Sequence, residues 1–145
     1  MDRREFATLL PALLACGVLT PESAQGQSAL PMLESGVYKP EASKAGQQGH
    51  VSSRYTIGML KAGNIRLEMH ESTQEVGAPH EAVGTHLHSE IWLVREGTLD
   101  LTTNGVARRM VAGDVGICVA GDKHYVQNTG TTPVTYFVVT VGPPE

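Results

Sequence analysis

The feature that most constrains this chain is a rhythm of turns. From Ser53 onward, breaks recur about every ten residues, and no window between them carries a helical period. The breaks are Lys61-Ala62-Gly63, Glu96-Gly97, Asn104-Gly105, Gly113-Asp114, Gly121-Asp122 and Gly130-Thr131. Between and around them lie the expected strands: Tyr55–Leu60, Asn64–His70, Glu90–Arg95, Thr98–Thr103, Val106–Val111, Val115–Val119, His124–Asn128 and Val134–Val141. Asn104-Gly105 is a type I′ hairpin signal, since both of its central positions need positive φ. Alternation at Leu99/Leu101 and Trp92/Val94 fits sheets with one buried face. Short strands in this number, without helices, give an all-β sandwich or barrel.

Residues 27–50 precede this pattern. They hold Pro31, Gly36, Pro40, Gly46 and Gly49 among serines, glutamines and lysines, and read as an extended arm with a short strand near Val37-Tyr38. The barrel domain is then 51–145. The first 26 residues read as an export signal. Arg3-Arg4 supply the positive start, Phe6 to Leu19 is apolar and small, and Thr20-Pro21 ends it. Arg3-Arg4-Glu5-Phe6 resembles the twin-arginine signature, with Ala7 where that signature prefers leucine. The expected location is periplasmic or extracellular. Leu13-Leu14-Ala15-Cys16 also resembles a lipoprotein processing box, so anchoring through Cys16 is the alternative.

Outside that leader Cys118 is the only cysteine, so no internal disulfide can form and the fold must rest on its core. Cys118 lies in the apolar run Val115-Gly116-Ile117-Cys118-Val119 and reads as packing. The formal net charge is −4, and basic runs are limited to Arg3-Arg4 and Arg108-Arg109. Charge therefore argues against nucleic acid as a partner. No apolar run reaches the roughly 18 residues that a membrane-spanning helix needs. The partner left is a small molecule, with a homodimer formed through the arm as an option.

The chemistry concentrates in Gly84-Thr85-His86-Leu87-His88-Ser89-Glu90 and in Gly121-Asp122-Lys123-His124. On an extended strand, residues two apart share a face at about 6.6 Å. His86 with His88, or His88 with Glu90, could therefore share an ion. His86 and Glu90 would stand about 13 Å apart on an ideal strand. All three reach one ion only if the chain bends between them.

These two stretches resemble the cupin family. Its first motif runs glycine, five residues, H-x-H, three or four residues, E, six residues, glycine. Its second runs glycine, five residues, P-x-G, two residues, H, three residues, N. Glu90 and Gly97 keep the six-residue gap, and Gly113, Gly121, His124 and Asn128 fall in place, with Val119 where the proline stands. The start of the chain and Arg95-Glu96-Gly97-Thr98-Leu99 also look like small secreted bacterial cupins. The resemblance covers roughly Asn64 to Val141 and implies a jelly-roll β-barrel, the double-stranded β-helix.

It also implies a metal held by the two histidines and glutamate of the first motif and the histidine of the second. Counted back from Glu90, the second histidine is His86 and the first position is Gly84, which offers no ligand. Counted from His86-x-His88, Glu90 comes early. The implied set is His86, Glu90 and His124, with His88 as the fourth member. Such a donor set suits one divalent transition metal, whether Fe, Mn, Ni, Cu or Zn. Trp92 shares the parity of His88 and Glu90 and is a candidate pocket wall. His80, in the loop before the first motif, is a second candidate there. Two functions follow: a metal-dependent oxygenase or isomerase of a small molecule, or a non-catalytic small-molecule binder with a degenerate metal site.

Overall fold

The computed structural model describes residues 29–145. The proposed export segment and Cys16 lie outside them. Nine strands are present among the described residues: β1 (Lys44–Ala45), β2 (His50–Leu60), β3 (Ile65–Gln74), β4 (Ser89–Glu96), β5 (Thr98–Thr103), β6 (Val106–Val111), β7 (Val115–Cys118), β8 (His124–Asn128) and β9 (Val134–Gly142). A six-stranded sheet runs β1-β2-β3-β9-β4-β7, and a three-stranded sheet runs β6-β5-β8. All strand pairs are antiparallel. The two sheets face each other as a jelly-roll β-barrel.

The core sits between them. Trp92, Val94, Val134, Tyr136 and Val138 come from the larger sheet, and Leu99, Leu101, Met110 and Val126 from the smaller one. The alternation along β9 is complete from Val134 to Thr140, buried and half-buried in turn, which is the period-two pattern of a one-sided sheet. Gly116 on β7 lets side chains of the smaller sheet come close to the larger one. A Cβ there would lie 2.7 Å from Leu101 and 2.8 Å from Met110. The Asn104-Gly105 hairpin joins β5 to β6 with φ of 49° and 80°, as a type I′ turn requires.

The structure departs from the expected strands in two places besides β2, which begins at His50 where Tyr55 was expected. The strand of the arm is Lys44–Ala45, paired with Ser52 and Val51, and not Val37-Tyr38. Val37 points into solvent, and the Tyr38 hydroxyl donates to the Glu34 carbonyl in a local turn, so that segment has no partner strand. Upstream, Met32 bridges in parallel to Met59, with Leu33 donating to the Met59 carbonyl. The second departure is β3, which continues past His70 to Gln74. Ser72 and Gln74 face inward although they are polar, because the barrel end they enter is itself polar.

At that end the Gln74 amide donates to the Tyr136 hydroxyl at 2.8 Å, and the hydroxyl donates to Glu81 Oε1 at 2.5 Å. Gln74 also accepts from the backbone N–H of Asn128, and the Asn128 amide donates to the Gln74 carbonyl. Burial, followed by the Glu81 carboxylate, pushes the Tyr136 hydroxyl far above its usual range, so it remains a donor. Tyr136→Phe leaves Glu81 and Gln74 without this partner. We expect a loss of about 1–3 kcal/mol in denaturant unfolding; no change would mean that the network does not close through Tyr136.

Candidate metal centre

The first-motif segment is held by backbone pairing before its side chains matter. Gly84 bridges antiparallel to His124: its N–H donates to the His124 carbonyl at 2.8 Å, and His124 N–H returns to Gly84 at 3.0 Å. The chain then bends at Leu87-His88 and enters β4 at Ser89. That bend brings His86 back toward Glu90, four residues on, which a straight strand could not do.

Glu90 is the centre of the cluster. Its Oε2 lies 3.2 Å from His124 Nε2, and its Oε1 lies 3.1 Å from His88 Nε2 and 3.7 Å from His86 Nε2. His86, Glu90 and His124 converge so that one donor atom from each falls within 4.8 Å of the others. His88 joins Glu90 and His86 but not His124. It groups instead with His86 and Glu145, a residue that the reading of motifs missed. The His86 and His88 rings are parallel, 8° apart, with centroids 4.5 Å from each other.

The ring of His124 is fixed from behind. Its Nδ1 lies 3.2 Å from the Asp122 carbonyl oxygen and 3.2 Å from the Cys118 sulfur. A carbonyl can only accept, so a proton on Nδ1 satisfies it and would leave Nε2 as the atom offered to an ion beside Glu90. This is the usual arrangement behind a metal-ligating histidine. Desolvation raises the Cys118 thiol above its ordinary value, so it stays protonated; it packs in the core and also backs this ring. Trp92, only 1% exposed, meets His124 edge-on at 5.3 Å. It is core packing that buttresses a candidate ligand, rather than a wall of the open cleft.

Gly84 occupies the place that the spacing assigned to a missing histidine. A Cβ at this position would lie 2.8 Å from His86 Nε2 and 2.9 Å from His124 Nε2. A side chain here would therefore enter the donor cluster, and glycine leaves that side open. The residues present fit a divalent transition metal: imidazole nitrogens and one carboxylate, mostly sheltered, converging on one point. Together they can hold one ion and keep part of its coordination shell free.

The cluster opens on a cleft of about 710 Å³. Leu30, Ile57, Met59, Arg66, His86 and His88 line it. Leu30, Ile57 and Met59 make one wall apolar, and Asn64 and Arg66 add polar groups to it, with Arg66 Nη2 2.5 Å from Glu68. Glu145 stands at the same cleft. Burial raises its carboxyl, but the backbone N–H groups of Leu87 and His88 and the two imidazoles pull it down further, below the usual carboxylate range. His80 stands apart from the cluster. Its ring lies against Tyr125 at 4.4 Å, and its carbonyl accepts from Gln47.

No curated protein matches the chain in sequence. Solved structures do match in fold. An RmlC-like cupin from Shewanella frigidimarina is 20% identical over 74% of this chain and 86% of its own, with a TM-score of 0.56. KdgF from a Halomonas species is 15% identical over 77% of this chain and 96% of its own, at 0.58. A predicted oxalate decarboxylase from Thermotoga maritima is 21% identical over 71% and 91%, at 0.53. At these identities the likeness carries the barrel and not the activity. The family described as the cupin domain matches residues 70–140, which run from the end of β3 through both motifs to β9. The chain belongs to the cupin superfamily.

Proposed function

We propose that this cupin is exported and holds one divalent transition-metal ion on His86, Glu90 and His124, with His88 as a fourth donor. A small molecule would reach the ion's open side through the cleft beside Arg66. The observation that carries this reading is the convergence of His86, His88 and His124 on the single carboxylate of Glu90. Export is supported by the Arg3-Arg4 leader. When bound, such an ion can act as a Lewis acid toward an oxygen of the substrate or as a site for O₂. The chain's own part is to present imidazoles in a fixed orientation, keep the base of the site dry with Trp92 and Cys118, and seat an apolar body on Ile57 and Met59. Oxygenation and isomerisation of a small organic molecule are the two reaction classes this allows.

Gly84→Ala tests the reading at its narrowest point. The new Cβ would press on both His86 Nε2 and His124 Nε2 while the strand pairing stays in place. We expect bound metal, measured by elemental analysis, to fall well below that of the wild type while the circular dichroism spectrum stays the same. Full metal occupancy in the variant would show that the ion is not held at this point. If metal binds but no turnover is found across candidate substrates, while a small molecule binds tightly, the binding-module reading replaces the enzyme.

A further inference from the structure

Beyond its motif residues, the cluster contains a second carboxylate whose position is set by the segment after β9. Two imidazoles lie parallel between two carboxylates. On one edge, the Nε2 atoms of His86 and His88 face Glu90 Oε1 at 3.7 and 3.1 Å. On the opposite edge, their Nδ1 atoms face Glu145, at 3.8 Å from Oε2 and 3.0 Å from Oε1 respectively. Glu145 Oε1 also accepts the backbone N–H groups of Leu87 and His88, the latter at 3.1 Å. One side chain thus holds the backbone of the His86-Leu87-His88 bend by hydrogen bonds and sets its charge beside both rings, with His88 Nδ1 left without a hydrogen-bond partner among the described residues.

The approach of Glu145 is built into the chain. Gly142 passes so close over His88 that a Cβ there would lie 2.6 Å from the His88 Cα and 2.7 Å from its Cβ. Only a residue without a side chain fits that crossing. Pro143-Pro144 follow, stiff and without N–H groups, and carry the chain back toward the bend. Glu145 is two-thirds shielded where it lands, with a side-chain exposure of 32%.

We propose that Glu145 is a positioning residue of the metal centre. By accepting the backbone N–H groups of Leu87 and His88 it would hold the bend in the shape that turns both Nε2 atoms toward Glu90. This rests on the metal reading above and adds to it. Outer-shell groups that orient a ligating histidine are worth about 10–100-fold in metal affinity. Glu145 would act through the backbone of the bend, where the Asp122 carbonyl acts on the His124 ring itself. That would let His88 serve where Gly84 supplies no ligand. His86, His88 and Glu145 could alternatively hold an ion of their own. Against that, Glu145 Oε1 is already engaged by two backbone N–H groups, and an ion there would draw the Nδ1 lone pairs away from the buried side.

Glu145→Ala and Glu145→Gln test this in the full chain. Glutamine keeps an oxygen for the two backbone N–H groups but loses the charge and sets an NH₂ group against the ring edge. The first readout needs no metal: amide hydrogen exchange at Leu87 and His88, expected to speed up in the alanine variant and to stay near wild type in the glutamine variant. The second is zinc affinity by chelator competition, expected to fall by about 10–100-fold in the alanine variant and to fall less in the glutamine variant. The third is the imidazole nitrogen spectrum of the zinc-loaded wild type, expected to show Nε2 bound and Nδ1 protonated at His86 and His88. Unchanged exchange in the alanine variant, zinc affinity in the alanine variant equal to wild type, or Nδ1-bound zinc would each overturn the proposal. So would two zinc equivalents of which the alanine variant loses one, since Glu145 would then be a ligand. If the wild type takes up no zinc, the metal reading falls, and the exchange comparison alone decides whether Glu145 holds the bend.

Discussion

Trp92→Ala is expected to destabilise the barrel by about 3–5 kcal/mol. Trp92 is 1% exposed and is the largest fully buried side chain in the core. It sits on β4 opposite Val138 of β9 on one side and Gly116 of β7 on the other. Gly116 has no side chain and the backbone around it is held by the ladder, so neighbouring groups cannot collapse into the hole. A domain of this size is stable by about 5–15 kcal/mol in total, so the variant should stand near its unfolding threshold. Denaturant unfolding followed by far-ultraviolet circular dichroism measures this, because the chain holds one tryptophan and its fluorescence goes with it. The edge-on contact with His124 is lost as well, so metal uptake should weaken in whatever fraction remains folded. A cost below about 1 kcal/mol would mean that the sheets do not close on Trp92.

Glu90→Gln is expected to remove metal binding while the barrel stays folded. The substitution keeps the volume and takes away the one carboxylate on which His86, His88 and His124 converge. The loss of a ligand should exceed the about 10–100-fold in metal affinity that removal of an outer-shell partner costs. Unfolding should change little, because Glu90 is outside the apolar core cluster. Isothermal titration with Zn(II) and Mn(II), beside a thermal melt of the metal-free protein, separates the two effects. Wild-type affinity in the variant would place the ion elsewhere.

Much of this was legible in the sequence, for reasons that can be named. Strands β5, β6 and β8 were located to the residue, because Gly97, Asn104-Gly105 and the apolar alternation mark their ends. The spacing of Glu90 from Gly97 and of Gly121 from His124 pointed to His86, Glu90 and His124, which the fold brings together. The same count put Gly84 at the place of a ligand, and the geometry sets it against the donors. What the sequence concealed depends on contacts far apart in the chain. Ser72 and Gln74 look like loop residues until Tyr136, 62 residues beyond Gln74, supplies their surroundings. Cys118 read as packing alone, because nothing local shows that the turn at Asp122 brings His124 onto its sulfur. Glu145 lies 57 residues from His88. Its only trace was Gly142-Pro143-Pro144, which marks the end of a strand without saying where the chain goes next.

The central claim is that His86, Glu90 and His124 form one ion site. Its most direct test is elemental analysis of the protein purified without a histidine tag, beside a His86→Ala/His124→Ala variant. The expected result is about one equivalent of a single transition metal in the wild type and none above background in the variant. No metal in either protein, even after incubation with Fe(II), Mn(II), Ni(II) and Zn(II), would contradict the claim and leave the barrel as a metal-free binder.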